Sequence, residues 1–494
     1  MKYFRISWTG LLVLGLGMLF VGSAVWPFTS AANEDGMPSA ASSLPSSINP
    51  RVAPGRLIIG LHPLKVRIAD VSVQRAGDPR TIASLQALNA TAGVRSMTPL
   101  YTPSVGELTL EQAGTFVLEV DPKADLFALA EKYQKDPHVR FAEPDVAASV
   151  TFTPNDEYFG RQWNFHNTSS NNSDINLPEA WEYDASAPNY GGDPSVVVAI
   201  IDTGVAYEDY GNFLKAPDLA DTAFTAGYDF ANEDSHPNDD NAHGTHVAGT
   251  IAQSTNNING TAGIAFKTTI MPIKVLGSDG SGHMSNVARG IAFAMNNGAD
   301  VISMSLEGPQ TEVLTEAVEN AAVAGVIMVA ATGNSGLASI SYPAAYEEVI
   351  AVGATRYDAT LTAYSNYGNA VDLVAPGGDL GVDQNADGFA DGILQQTFAQ
   401  DNPATGENEA DFRTFSYYYF QGTSMAAPHV SGAAAWLLAN QVVAANVKDL
   451  LTQTARDLGD SGFDTRYGYG LLDLAGAASA ALGDSIPPSG SISI

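Results

Sequence analysis

The sequence predicts an α/β protein on a mostly parallel sheet with helices on both faces, preceded by a small α+β unit. Three features point there: recurrent short apolar runs, helical stretches that alternate with them, and a change of pattern near residue 150. From about Thr151 to Ala481 the runs V-V-V-A-I-I (196–201), I-M-P-I-K-V-L (270–276), V-I-S-M-S (301–305), V-I-M-V-A-A (326–331) and V-I-A-V-G-A (349–354) read as strands. Their hydrophobicity is continuous rather than alternating, as expected of strands buried on both faces. Helices are expected at 244–253, 284–297, 311–324 and 425–440. Strands that alternate with helices form parallel crossovers, and ligands then sit beyond the carboxyl ends of the strands.

The smaller unit spans residues 51–150. T-F-V-L-E-V (115–120) reads as a strand, residues 121–135 as an amphipathic helix capped by Asp121, and H-V-R-F-A-E-P-D (138–145) as a strand ended by Pro144. The expected fold is α+β of the ferredoxin-like kind. Residues 33–50 are polar, small and proline-bearing, which describes a linker. Residues 1–32 read as a secretory signal: Lys2 and Arg5, an apolar run from Leu11 to Val25, then small Ser30, Ala31 and Ala32. The run is near spanning length, so an uncleaved anchor is the alternative. The small residues and the Ser/Pro-rich spacer favour a signal and a secreted, extracellular mature protein. Residues 484–494 read as a frayed tail or as a linker toward a further β module.

Composition narrows the function classes. With 23 Lys+Arg against 54 Asp+Glu the formal charge is −31, which disfavours nucleic acid and anionic membranes as partners. Clustered carboxylates suit calcium, although an acidic surface also serves solubility alone. The absence of cysteine excludes thiol catalysis, disulfides and thiolate zinc sites. With 45% hydrophobic residues a large core can be buried.

Three motifs carry chemistry. V-A-I-I-D-T-G-V sets Asp202 just past a buried strand, H-G-T-H-V-A-G-T-I-A sets His243 at a helix start, and G-T-S-M-A-A-P-H sets Ser424 at another. Hydrolysis of a peptide bond near neutral pH needs a hydroxyl activated by an imidazole, and a carboxylate that fixes the tautomer and stabilises the cation. A serine at a helix start also lies among unpaired N–H groups suited to an oxyanion.

In these motifs and their order, Asp then His then Ser, the chain closely resembles the subtilisin family over about residues 155–481. The resemblance implies a 151–483 catalytic domain and a serine endopeptidase that acts on polypeptides as a monomer. It assigns catalysis to His243 rather than to its competitor His246. In V-A-A-T-G-N-S-G (329–336) it makes Asn334 the oxyanion donor, whereas N-S-G alone is also an ordinary turn. V-L-G-S-D-G-S-G (275–282) resembles the segment that pairs with extended substrate, through Gly280, Ser281 and Gly282. M-S-L-E-G-P (304–309), with Ser305, Leu306, Glu307 and Gly308, resembles the opposite wall, and Ser341 lies near the expected floor of the primary pocket. Glu307 stands where the family commonly has glycine. It is either a solvated surface charge or a carboxylate that favours basic residues.

The family also implies calcium, and three loops are candidates. The first joins Asp156 and Asp218 to Asn257 and to backbone carbonyls around Asn259 and Thr261; the second is Asp229, Asn232 and Asp234. The third is D-Q-N-A-D-G-F-A-D-G, with Asp383, Asn385, Asp387 and Asp391, in an insertion from about Gly378 to Phe420. Acidic turns without metal are the alternative at each. Residues 51–150 resemble the family's propeptide, an intramolecular chaperone and inhibitor removed by self-cleavage between Ala147 and Asn155. Competing readings are an independent accessory domain, a narrow maturation protease, and a secreted binding protein with an inactive triad.

Overall fold

The computed structural model describes residues 52–68, 71–75, 78–102, 108–146, 152–167, 172–183, 190–399 and 411–482. The expected signal, linker and C-terminal tail lie outside the described residues, as do residues 147–151 of the expected cleavage region.

Residues 52–146 form β1 (Val52–Leu61), a hairpin of β2 (Leu64–Ile68) and β3 (Val71–Arg75), α1 (Ala83–Ala92), β4 (Ser96–Pro99), the single turn α2 (Leu110–Ala113), β5 (Thr115–Glu119), α3 (Leu126–Gln134) and β6 (Val139–Val146). Four of these strands make a sheet in the order β4-β5-β1-β6 with every neighbour antiparallel. With one helix between β1 and β4 and another between β5 and β6, this is the ferredoxin-like split βαβ arrangement. Leu57, Ile59, Phe116, Leu118, Leu129 and Tyr133 fill its core. The α3 helix starts later than the sequence suggested. Asp125, not Asp121, accepts the first-turn N–H, from Ala128 at 2.9 Å, while Asp121 closes a preceding turn by accepting from Lys123. Nor does Pro144 end its strand, because β6 is an edge where a missing N–H is tolerated.

The larger unit begins with α4 (Leu177–Glu182), β7 (Val197–Asp202), the two-residue β8 (Ala223–Phe224) and β9 (Tyr228–Asp229), α5 (His243–Ala252), β10 (Thr269–Lys274), α6 (Met284–Asn296) and β11 (Val301–Met304). It continues through α7 (Glu312–Val323), β12 (Ile327–Ala331), β13 (Val349–Thr355), β14 (Leu373–Pro376), β15 (Ile393–Phe398), β16 (Phe415–Phe420), α8 (Thr423–Ala439), α9 (Ala444–Thr454) and α10 (Leu474–Leu482). The expected strands and helices agree with these bounds to within two residues. The sheet order is β14-β13-β12-β11-β7-β10-β8, with β9 also paired to β10, and every pairing is parallel. β7 is therefore the switch point: the chain leaves it to form β10 on one side, then returns to form β11 on the other.

Successive β7 residues point to opposite faces. Val198 and Ile200 join the core under α5 and α8, whereas Ala199 and Ile201 join the core under α6 and α7. The insertion before α8 is an antiparallel β15–β16 hairpin. Among the described residues no helix is long and apolar enough to cross a membrane.

Trp181 anchors the first core. It is fully buried, meets Phe152 and Phe266 edge-on, and donates its indole N–H to the Ile264 carbonyl at 3.0 Å. Trp181→Ala should lower unfolding free energy by about 3–5 kcal/mol in urea titration. Phenylalanine, which keeps a ring but strands the Ile264 carbonyl, should cost about 1–3 kcal/mol.

Candidate active site

The site forms where β7 ends. Asp202 closes that strand and is buried, and its Oδ1 accepts from the Thr203 N–H at 2.7 Å and from His243 Nδ1 at 2.7 Å. His243 opens α5 and keeps 25% of its side-chain surface exposed, so one edge of the imidazole stays reachable. The helix rests on the strand end because residue 244 is glycine. A β-carbon there would lie 2.1 Å from the Gly204 carbonyl oxygen and 3.2 Å from Asp202 Oδ1. Burial pushes the His243 imidazole down, but the charge and hydrogen bond of Asp202, with a contribution from Asp239, outweigh it and hold the group above its ordinary value of 6.5.

Sequence reading missed two groups that set this geometry. Residue 242 is an alanine with φ of 85° and cannot cap α5, so Asp239 does. Its Oδ2 accepts from the Thr245 N–H at 2.9 Å and hydroxyl at 2.6 Å; its Oδ1 accepts from Asn241 N, Ala242 N and the Thr203 hydroxyl. Lys274, fully buried at the end of β10, donates to the Thr203 and Leu276 carbonyls, both at 2.7 Å, and to Asp240 at 2.5 Å. The apolar β10 pattern hid this lysine, and Asp239 reads locally as one of several loop acids.

His246 is a different kind of group. It is buried, donates from Nε2 to the Ile393 and Tyr418 carbonyls, and stacks on Phe420 at 4.4 Å. Burial pushes its pKa down to about 3, so it stays neutral behind the site. The β15–β16 hairpin thus braces α5 from behind, and the Thr397 hydroxyl adds a bond to the Ala242 carbonyl at 2.8 Å.

Ser424 is the second residue of α8. Its carbonyl would normally accept from residue 428, but that residue is proline and has no N–H. The Ser305 hydroxyl donates to it instead at 2.8 Å, and the Ser424 hydroxyl donates back to the Ser305 carbonyl at 3.2 Å. Ser424 Oγ is therefore not hydrogen-bonded to His243 in this state. Asn334 Oδ1 accepts from Thr423 N at 2.8 Å and Thr423 Oγ1 at 3.0 Å, which leaves its Nδ2 as the free donor end.

The two segments expected to line a substrate groove follow β10 and β11, on either side of β7. Residues 278–283 are exposed, Gly282 bridges antiparallel to Leu276, the Ser281 carbonyl accepts from Gly277 N, and the Asn241 amide holds the Ser278 carbonyl at 2.8 Å. Gly280 adopts φ of 72° in this turn. On the other side Ser305 and Leu306 are buried, Gly308 pairs with Tyr342, and the Ser341 hydroxyl donates to Glu307 Oε2 at 2.9 Å.

The acidic loops differ from one another. Asp156 accepts from Asn256 N and Asn257 N, and Asp218 Oδ2 accepts from Thr261 N at 3.0 Å. Asp218 Oδ1 is buried with no partner, and burial pushes this carboxyl up to about 6. Asn257 Oδ1 accepts from Asn259 N. Asp229 has both oxygens engaged by Ala231 N, Asn232 N and the Asn232 amide, and Asp234 accepts from His236 N. Asp383 accepts from Asp387 N and Gly388 N, the Asn385 amide donates to Asp387, and Asp391 is buried with Oδ1 unpartnered. Among the described residues no group of three or more His, Cys, Asp or Glu is placed to hold a metal ion.

The subtilase family matches residues 193–470. A thermophilic serine proteinase of Bacillus sp. (strain AK1) is 36% identical over 348 residues, 70% of this chain and 74% of the relative. Thermitase of Thermoactinomyces vulgaris is 34% identical over 63% of this chain and 94% of its own. Among solved structures, a protease of Pseudoalteromonas arctica has a TM-score of 0.55 and 31% identity, covering 67% of this chain and all of that one.

Two outcomes check the geometry. Because His243 is held above 6.5, its pairing stabilises the fold fully below about pH 6.5 and that contribution is lost as pH rises through the folded-state pKa. Asp202→Asn should drop the imidazole below 6.5, because burial outweighs the contribution of Asp239 that remains, as read by NMR titration. Ser305→Ala should destabilise by about 1–3 kcal/mol by stranding the Ser424 carbonyl, and adding Pro428→Ala, which restores an N–H four residues on, should recover part of that loss.

Proposed function

The chain belongs to the subtilase family and is a serine-type endopeptidase, and we propose that it cleaves polypeptides through an acyl-enzyme on Ser424, with His243 as base, Asp202 as its partner and Asn334 as oxyanion donor. The observation that carries this reading is the 2.7 Å contact between a buried Asp202 and an imidazole that keeps a quarter of its side-chain surface exposed. Because Nδ1–H is committed to Asp202, Nε2 carries the lone pair that a base needs. The Ser424 hydroxyl turns from Ser305 toward that lone pair, its oxygen bonds to the substrate carbonyl carbon, and its proton passes to Nε2. The oxygen that becomes negative meets Ser424 N–H and Asn334 Nδ2. His243 then gives its proton to the departing amine, and water repeats the cycle against the acyl group to release the acid and free Ser424. Loss of the Asn334 donor should lower kcat about 10²- to 10³-fold.

Extended substrate is read as an added strand between residues 280–282 and 305–308, a mode supported by the exposed backbone of the first segment. We infer a secreted zymogen whose 51–150 segment folds as a ferredoxin-like unit and inhibits the enzyme until it is cut, leaving a monomer. Calcium is inferred at Asp156, Asp218 and Asn257 with the carbonyls near Asn259 and Thr261. The orphaned Asp218 Oδ1 fits a cation there, and Asp391 Oδ1 fits one beside Asp383, Asn385 and Asp387. Calcium neutralises buried carboxylates when bound. The loop of Asp229, Asn232 and Asp234 offers a weaker fit, since its acids are already bonded to their own backbone.

The test is to express residues 33–494 with calcium and follow the mass beside a Ser424→Ala twin. The wild type should lose its segment up to a point between Ala147 and Asn155 while the twin stays whole. Two folded chains that both stay whole would remove self-processing from the account. For calcium, chelation should lower Tm of the wild type, with a free-energy loss of about 2.7 kcal/mol from a hundredfold-saturating level. The loss should be markedly smaller in Asp218→Asn.

A further inference from the structure

A carboxylate that the cleavage chemistry does not use lies beside the nucleophile. Ser305 and Ser424 exchange two hydrogen bonds, so residues 306–308 start from the reacting serine itself. Across from them runs Thr332–Asn334, whose last member is the oxyanion donor. Glu307 spans the gap: a β-carbon on Gly333 would lie 2.2 Å from Glu307 Oε2, 2.4 Å from the Asn366 amide nitrogen and 2.9 Å from Ser341 Oγ. The Ser341 hydroxyl donates to that same Oε2 at 2.9 Å, and the Gly308–Tyr342 pairing joins this wall to the segment that carries Ser341. Two walls and a floor thus converge on one anionic group. Among the described residues Glu307 has no Lys, Arg or His partner, and its hydrogen bond is to a neutral hydroxyl.

We propose that Glu307 selects a lysine or arginine side chain at the substrate residue whose carbonyl Ser424 attacks. The inference rests on the reading of Ser424 as nucleophile and Asn334 as oxyanion donor. With the carbonyl carbon at Ser424 and its oxygen at Asn334, the side chain of that residue enters between 305–308 and 332–334. Gly333 presents no side chain there, and the Glu307 carboxylate shares the space with the Asn366 amide, which is committed to the Thr332 carbonyl. An apolar side chain would strip water from the carboxylate without replacing it, which is costly. An acidic one would be repelled. A guanidinium or ammonium gains a charge-assisted hydrogen bond, and the chain's formal charge of −31 draws cationic substrate toward it. Selection therefore combines attraction of one class with exclusion of two others.

The test uses the self-processed enzyme and peptides that differ only at that residue, as Arg, Lys, Leu, Phe or Glu. Wild type should show kcat/KM at least about tenfold higher for Arg and Lys than for Leu and Phe, the preference shrinking as salt rises. Glu307→Gln should lower kcat/KM on Arg and Lys by about 10- to 100-fold and collapse the ratio. Glu307→Lys should move the preference to the Glu peptide. A wild type that prefers Leu or Phe, with a ratio Glu307→Gln leaves unchanged, would overturn the selection while Ser424 catalysis stood. Failure to cleave any peptide, with no labelling of Ser424 by a fluorophosphonate, would instead remove the catalytic reading and this inference with it.

Discussion

A β-carbon at residue 244 would lie 2.1 Å from the Gly204 carbonyl oxygen, so the helix that presents His243 can rest on the strand end that presents Asp202 because that position is glycine. The rest of the site follows from this contact. Asp202 is placed by β7, the central switch-point strand, whose flanks on both faces are fixed by two separate cores. His243 is placed by the first turn of α5, where Asp239 supplies the cap that Ala242 cannot. A parallel sheet leaves its ligand crevice at such a switch point.

Ser424, the proposed nucleophile, is held by a second constraint of the same kind. Pro428 removes the N–H that would have bonded the Ser424 carbonyl, and Ser305 fills the vacancy with its hydroxyl. That exchange ties α8 to the end of β11 and to the segment 305–308 that follows it. Thr423 meanwhile fixes the Asn334 amide by donating to its oxygen twice. The hairpin β15–β16 completes the frame from behind, through Thr397 and the buried His246. An insertion that reads from sequence as a calcium loop is thus also a brace for α5, the helix that begins at His243.

Most of the sheet was legible in the sequence because buried parallel strands such as 197–202 and 327–331 are continuous apolar runs, and their length is set by the core. Asp202, His243 and Ser424 were legible because each lies in a short motif at a strand or helix end, with a glycine within two residues. Asp239, Lys274 and the Ser305–Ser424 exchange were not, since each depends on partners distant in sequence and leaves no local period. The start of α3 moved from Asp121 to Asp125 for a local reason: two aspartates compete for one cap, and the first is consumed by its own turn. Glu307 was visible as a departure from the family, but its contact with Ser341 across 34 residues appears in the folded chain alone.

The proposed catalysis requires that the Asp202–His243 pair make Ser424 nucleophilic. The direct measurement is reaction of the folded mature enzyme with a fluorophosphonate, followed by peptide mapping. A single adduct on Ser424, formed rapidly in the wild type and lost in His243→Ala, is the expected result. An adduct on another residue, or labelling of Ser424 that is indifferent to His243, would contradict it.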